Sequence, residues 1–256
     1  MNQAFDKYSL AGKHILVTGG SSGIGRQVAI SISELGAKVS LIARNEERLA
    51  EVLSCLTGEG NASYAFDLAD TEGIEKLISR IVSEQGKFDG MMFCCGIGEH
   101  VPFNMTKPQY SEKVMRINYF SYAETLRCIS KTKNCNPGAS FIGMASVSGM
   151  QGDKGLLAYS ASKAAMIAAT RCAAKELASK KIRVNCVATG YIGGTNIYKS
   201  IAGRLGQEEM ERFANDNQLF GVGKPQYIAD AVGFLLSDAA QYITGTTMLV
   251  DGGYMA

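Results

Sequence analysis

A phenol and an ammonium stand four residues apart in Tyr159-Ser160-Ala161-Ser162-Lys163, a spacing that puts both on one face of a helix. Tyrosine ordinarily titrates near roughly 10, too high for efficient proton transfer at neutral pH. A fixed cation beside the ring stabilises the phenolate and lowers that value, so the pair reads as a general acid/base. Ser146, 13 residues upstream, ends a predicted strand in Gly143-Met144-Ala145-Ser146-Val147-Ser148-Gly149 and brings a hydroxyl to the same region.

A second chemical feature lies near the amino terminus. The first predicted strand runs into Thr18-Gly19-Gly20-Ser21-Ser22-Gly23-Ile24-Gly25, where a helix pattern opens. Glycines let a backbone approach a pyrophosphate, and a helix amino end offers free N–H groups and partial positive charge. A glycine loop between strand and helix is the context that a dinucleotide site requires. The next strand ends in Leu41-Ile42-Ala43-Arg44-Asn45. An acid at the position of Ala43 would bind the ribose hydroxyls of NAD. Its absence, with the guanidinium of Arg44 following, favours the 2′-phosphate of NADP(H) and leaves NAD(H) possible. The alternative, that Arg44 is a solvated loop residue, stands beside this reading, because Ser22 supplies no second cation.

These residues need a scaffold, and the chain shows short strands alternating with amphipathic helices from end to end. The predicted strands are His14–Thr18, Val39–Ala43, Ser63–Phe66, Met91–Cys95, Ser140–Ala145, Arg183–Ala188 and Thr247–Val250. Ile24, Val28, Ile32 and Leu35 recur at helical spacing after the first of them. Such alternation predicts right-handed crossovers and a mostly parallel sheet covered on both faces. With 256 residues, 46% of them hydrophobic, and no linker or repeat, one domain over 1–256 is expected. The segment 193–223 breaks the alternation, with Ile201, Leu205, Met210 and Phe213 spaced as on a helix, and is read as a substrate lid.

The bulk numbers exclude several classes. A net charge of +2 without a basic run leaves no electrostatic footprint for nucleic acid. No apolar run approaches the roughly 18–20 residues of a membrane span. The opening MNQAFDKYSLAG lacks the apolar stretch and cleavage site of a signal peptide, so a cytoplasmic protein is expected. Seven scattered cysteines fit that compartment, and no metal site is expected. Cys94 and Cys95 are expected to pack to opposite faces of a strand. His14 reads as strand-edge structure, and His100 as a candidate for the border of the substrate pocket.

The TGxxxGxG loop, Ser146, Tyr159, Lys163 and Asn118 in Arg116-Ile117-Asn118-Tyr119 together resemble the short-chain dehydrogenase/reductase family over nearly the whole chain, its 3-oxoacyl-carrier-protein reductases most of all. The resemblance implies an α/β fold, a Rossmann-type doubly wound sheet of about seven parallel strands. It implies that Ser146 polarises the substrate carbonyl, Tyr159 transfers the proton, Lys163 orients the nicotinamide ribose, and Asn118 holds a water against the lysine. Ser148 has the wrong offset for the serine role. Cofactor contacts are implied at Gly19, Ser21, Ser22, Gly23, Ile24, Gly25, Arg44, Asp67, Leu68, Cys95, Gly96, Tyr159, Lys163, Gly190, Ile192 and Thr195.

The chain departs from the family at Phe93-Cys94-Cys95-Gly96, where Asn-Asn-Ala-Gly is usual, and at Thr189-Gly190, where Pro-Gly is usual. Thr195 stands one residue late, behind Gly193-Gly194. The expected function is hydride transfer between NADPH and a ketone or 3-oxoacyl thioester. A carrier-linked thioester would need a basic landing patch, for which Lys131, Lys133, Lys180 and Lys181 are candidates. The alternatives are an NAD-dependent sugar, polyol or steroid alcohol dehydrogenase, and a dinucleotide-sensing binding protein without turnover. A homotetramer or homodimer is implied by the resemblance alone.

Overall fold

Seven parallel strands form the one sheet of the computed structural model, which describes residues 7–256 without the side chain of Leu205. The first six positions of the opening segment searched for a leader lie outside the described residues. The strands are β1 (His14–Thr18), β2 (Lys38–Ala43), β3 (Ala62–Ala65), β4 (Phe88–Phe93), β5 (Cys135–Ser146), β6 (Arg183–Thr189) and β7 (Thr247–Val250), in the order β3-β2-β1-β4-β5-β6-β7. Order reverses between β1 and β4, and the crevice outside the carboxyl ends of these strands is where ligands bind in such sheets.

Side chains alternate across each strand, so two apolar layers form. Leu16, Phe93 and Phe141 face one of them. There α3 (Ile74–Gln85), α5 (Ser121–Ile129) and α6 (Leu157–Leu177) contribute Ile78, Leu126 and Met166. Ile15, Val17 and Ile142 face the other. There α1 (Gly23–Glu34), α2 (Glu46–Leu53) and α9 (Pro225–Leu236) bring Val28, Leu49 and Val232. Burying large apolar side chains on both faces drives the assembly, at about 1.5–3 kcal/mol for each. Between α4 (Pro108–Met115) and α5 the backbone makes one π-helical turn, Arg116–Phe120.

β4 stops at Phe93, short of the expected Cys95, because the next two N–H groups donate to Oγ1 of Thr18, at 3.1 and 3.3 Å. Cys94 and Cys95 still pack against opposite layers, although they lie past the strand end. His14 is structural and sits at the end of its strand, as the first residue of β1. Its ring stacks on Phe88 at 4.5 Å and its Nε2 lies 2.8 Å from Oγ of Ser40. Burial holds its pKa below the ordinary value.

The excursion 193–223 holds two helices rather than one, α7 (Asn196–Leu205) and α8 (Gln207–Asn217), parted by Gly206 at φ +95°. Tyr198, Ile201, Met210 and Ala214 give it a small core of its own. Its two ends are stitched together by Gly193 N–H to Gly223 O, at 2.9 Å, and Gly223 N–H to Tyr191 O, at 3.0 Å. Among the described residues no helix is long and apolar enough to cross a membrane.

Candidate active site

One continuous cavity of about 700 Å³ runs along the carboxyl ends of the strands. That volume lies within the range of small-molecule and cofactor sites. One end is the loop from Gly19 to Gly25. Gly19 and Gly23 take φ +65° and +53°, a backbone region that favours glycine. Ser22 precedes α1 but makes no capping hydrogen bond with its side chain, so the helix amino end offers its N–H groups to the cavity.

Ser21, Ser22, Gly23, Ile24 and Gly25 all line this end, with Arg44, Asp67, Leu68, Cys95 and Gly96 beside them. Arg44 is exposed and makes no ion pair among the described residues. Arg48, which the sequence reading missed, lines the same end. It is held in the first turn of α2 by its N–H bond to Asn45 Oδ1, at 2.7 Å. Its spacing of four residues from Arg44 was the available signal. A pyrophosphate-bearing dinucleotide therefore fits the donor set: glycine backbone, helix amino end and two unpaired guanidinium groups.

The other end holds Ser146, Tyr159 and Lys163 together, with Gly190, Ile192 and Thr195 on the adjoining wall. Lys163 is buried, its Nζ donating to Met144 O at 2.6 Å and standing 5.5 Å from the Tyr159 ring centroid. Burial lowers the Lys163 pKa. Burial likewise pushes the Tyr159 phenol up to about 12, against the opposing influence of the Ser146 hydroxyl. Burial thus outweighs the lowering expected from the neighbouring Lys163 ammonium. As it stands the phenol is a proton donor at neutral pH.

Asn118 reaches the region from the π-helical turn but does not line the cavity. It is fully buried, its Oδ1 accepting from Ile97 N–H at 2.8 Å. Its Nδ2 donates to Ile97 O at 2.8 Å and to Ser162 Oγ at 2.9 Å. Both amide hydrogens are thus engaged, so a water of the kind the resemblance implies would donate to an Asn118 oxygen. What Asn118 does is tie the loop after β4 to α6. That loop presses on Tyr159 at Gly98, where an added Cβ would lie 2.6 Å from the ring.

Other expectations shift as well. Thr195 caps α7, accepting from Tyr198 N–H at 3.1 Å, and still faces the cavity. Ser148 is no idle neighbour: it lines the cavity and its hydroxyl donates to Asp153 Oδ2. Asp153, Tyr191, Ile197 and Tyr198 also line the wall and carry no sequence signal of their own, whereas Ile201 lies there as part of the helical pattern in 193–223. His100 is absent from the wall, its Nε2 buried without a partner. The proposed lysine patch stands at the wrong edge. Lys131 and Lys133 precede β5, and Lys180 and Lys181 precede β6, so all four cluster at the amino ends of the strands, opposite the cavity. Lys131 is also paired with Glu75.

Comparison with known proteins agrees with this geometry. A family profile described as enoyl-(acyl carrier protein) reductase matches residues 19–255. A 3-oxoacyl-[acyl-carrier-protein] reductase of Staphylococcus aureus is 32% identical over 244 residues, spanning 94% of this chain and 97% of that protein. One from Chlamydia pneumoniae is 32% identical over 252 residues, spanning 96% and 98%. A solved Sinorhizobium meliloti structure, described as a short-chain alcohol dehydrogenase, superimposes with a TM-score of 0.91 at 28% identity, covering 97% of this chain and 98% of that one. The glycine loop, the Ser-Tyr-Lys cluster and these likenesses over almost the full length converge: the chain belongs to the short-chain dehydrogenase/reductase family, oxidoreductases that interconvert CH–OH groups and carbonyls with a nicotinamide cofactor.

Proposed function

We propose that this enzyme is an NADPH-dependent ketone reductase of the cytoplasm. The observation that supports it most is the continuity of one cavity from Arg44 and Arg48 at one end to Ser146, Tyr159 and Lys163 at the other. The glycine loop and the two guanidinium groups would hold the dinucleotide phosphates, and Lys163 its nicotinamide ribose. When bound, the nicotinamide supplies the hydride. Ser146 donates a hydrogen bond to the substrate oxygen and steadies charge as it develops there. Tyr159 delivers the proton. Asn118, through Ile97 and Ser162, is a positioning residue for the loop against Tyr159. A 3-oxoacyl thioester, the substrate in the names of the Staphylococcus and Chlamydia relatives, belongs in the first screen.

The cofactor assignment is tested by fluorescence titration with NADPH and NADH. Arg44→Ala is expected to weaken NADPH about tenfold to a hundredfold, the worth of a charge-assisted bond to phosphate, and to leave NADH unchanged. Adding Arg48→Ala extends the loss. NADH binding as tightly as NADPH to the unaltered protein would make both arginines surface residues and favour the NAD-dependent alcohol dehydrogenase reading.

The excursion 193–223 serves in this reading as the lid, because Ile197, Tyr198 and Ile201 form the cavity's outer wall. Limited proteolysis is expected to cut near Gly206 and to slow when NADP(H) is present. Identical cutting with and without cofactor would count against a lid.

A further inference from the structure

The substrate end of the cavity has two unlike walls. The lid side presents Ile197 and Ile201, with Tyr198 between them. The opposite side carries one carboxylate, Asp153, in the loop between β5 and α6. Asp153 is half-buried, and among the described residues no cation pairs with it. Its partners are neutral donors. Ser148 Oγ donates to Oδ2, the Tyr254 hydroxyl to Oδ1 at 3.2 Å, and Gln151 Nε2 to Oδ1 at 3.4 Å. Tyr254 is braced in turn by the edge of Tyr191, with ring centroids 5.8 Å apart. Three donors, two from the turn Ser148–Gln151 and one from the carboxyl-terminal segment, fix the carboxylate's orientation. A carboxylate has about four lone-pair sites, so at least one acceptor site remains for a ligand. The charge also lies close enough to Tyr159, Tyr191 and Tyr254 to disfavour ionisation of each phenol.

We infer that Asp153 is the specificity-determining residue of this enzyme, and that it selects ketones and alcohols bearing a hydroxyl group near the reacting carbon. The inference rests on the reductase reading above and narrows it. An ionised carboxylate accepts hydrogen bonds and donates none, so the substrate must bring the donor. A substrate acid would meet like charge in a cavity partly shut off from water, where repulsion is poorly screened. A plain acyl chain satisfies neither Asp153 nor Ser148, because beside its ketone it carries only CH₂ groups. The preferred substrate is therefore a hydroxyketone, or the corresponding diol in oxidation, with its carbon frame against Ile197 and Ile201.

The test uses matched substrates with the whole protein and NADPH. One pair is 2-hydroxycyclohexanone and cyclohexanone; the other is levulinate and its methyl ester. In the unaltered enzyme kcat/KM is expected to favour the hydroxyketone by about tenfold to a hundredfold, the strength of a hydrogen bond to a charged acceptor. The ester is expected to exceed the acid by tenfold or more. Asp153→Asn keeps the shape and removes the charge, and Asp153→Leu removes the acceptor as well. Both ratios should fall toward unity in Asp153→Leu, and the acid/ester ratio in Asp153→Asn. A merely structural aspartate would lower both members of each pair alike and leave the ratios standing. Unchanged ratios in variants that still reduce either ketone would overturn the assignment. Failure of the unaltered protein to reduce any of the four compounds, with thioesters reduced well, would overturn it too and leave the reductase reading intact. No reduction of any carbonyl would remove both.

Discussion

Tyr159→Phe is expected to lower kcat by about 10²- to 10⁴-fold, the usual worth of a positioned general acid, with NADPH binding and folding retained. The ring stays, so its packing at Gly98 and its place beside the Lys163 ammonium are kept; only the hydroxyl is lost. The pH dependence sharpens this expectation. Burial pushes the phenol up to about 12, so it is protonated throughout the neutral range. Ketone reduction needs the protonated form and should be flat with pH near neutrality, falling only as pH rises through the phenol's pKa. Alcohol oxidation needs the phenolate and should rise about tenfold for each pH unit below that pKa. Tyr159→Phe should abolish the slope in oxidation as well as the rate. Steady-state kinetics in both directions over pH 6–10 checks it. A variant that keeps the unaltered profile would give the proton to another group, of which Ser146 is the nearest candidate.

Gly25→Ala is expected to destroy cofactor binding and to destabilise the protein. In an ordinary helix this change stabilises, by about 1 kcal/mol of helix propensity. Here the added Cβ would stand 2.3 Å from the carbonyl oxygen of Gly19 and 2.8 Å from its carbon. Both are backbone atoms with little freedom to yield, so α1 must lift away from the loop that it closes. Overpacking of this kind costs about 1–3 kcal/mol, and each kcal/mol lowers Tm by about 2–4 °C in a chain of this size. Calorimetric titration should show no saturable NADPH binding. Undiminished affinity would mean that the loop and helix are not pressed together as described.

The strands were legible where apolar runs end sharply. His14–Thr18 and Thr247–Val250 were read residue for residue, since the first stops at Gly19-Gly20 and the second at Asp251-Gly252-Gly253. β5 extends beyond the expected Ser140–Ala145: it begins at Cys135 and takes in Pro137-Gly138, with an irregular register against Phe88 and Gly90. β4 lies earlier than the expected Met91–Cys95, taking in Asp89-Gly90 and ending at Phe93, where a side chain from another strand, Thr18, ends the ladder. No local pattern carries that information.

The site divides in the same way. The glycine loop, Ser146, Tyr159 and Lys163 lie together in the cavity, as their types and spacing suggested. Asp153 had no periodicity to mark it, and its importance comes from Ser148 and from Tyr254, 101 residues away. Strand order is equally invisible to pattern, which is why four lysines at the far ends of the strands read as candidates for a landing patch. Only the parallel sheet shows that residues preceding β5 and β6 lie opposite the reacting groups.

The most direct test of the central claim follows the hydride itself. The protein would be given NADPH carrying deuterium at one face of nicotinamide C4 and a reducible ketone, with the product examined by mass spectrometry. The account predicts that one of the two deuterated faces delivers its label fully to the new carbinol carbon, and that the other delivers none. Label that stays on the cofactor with both deuterated faces, or label delivered in part from each, would contradict hydride transfer in this cavity.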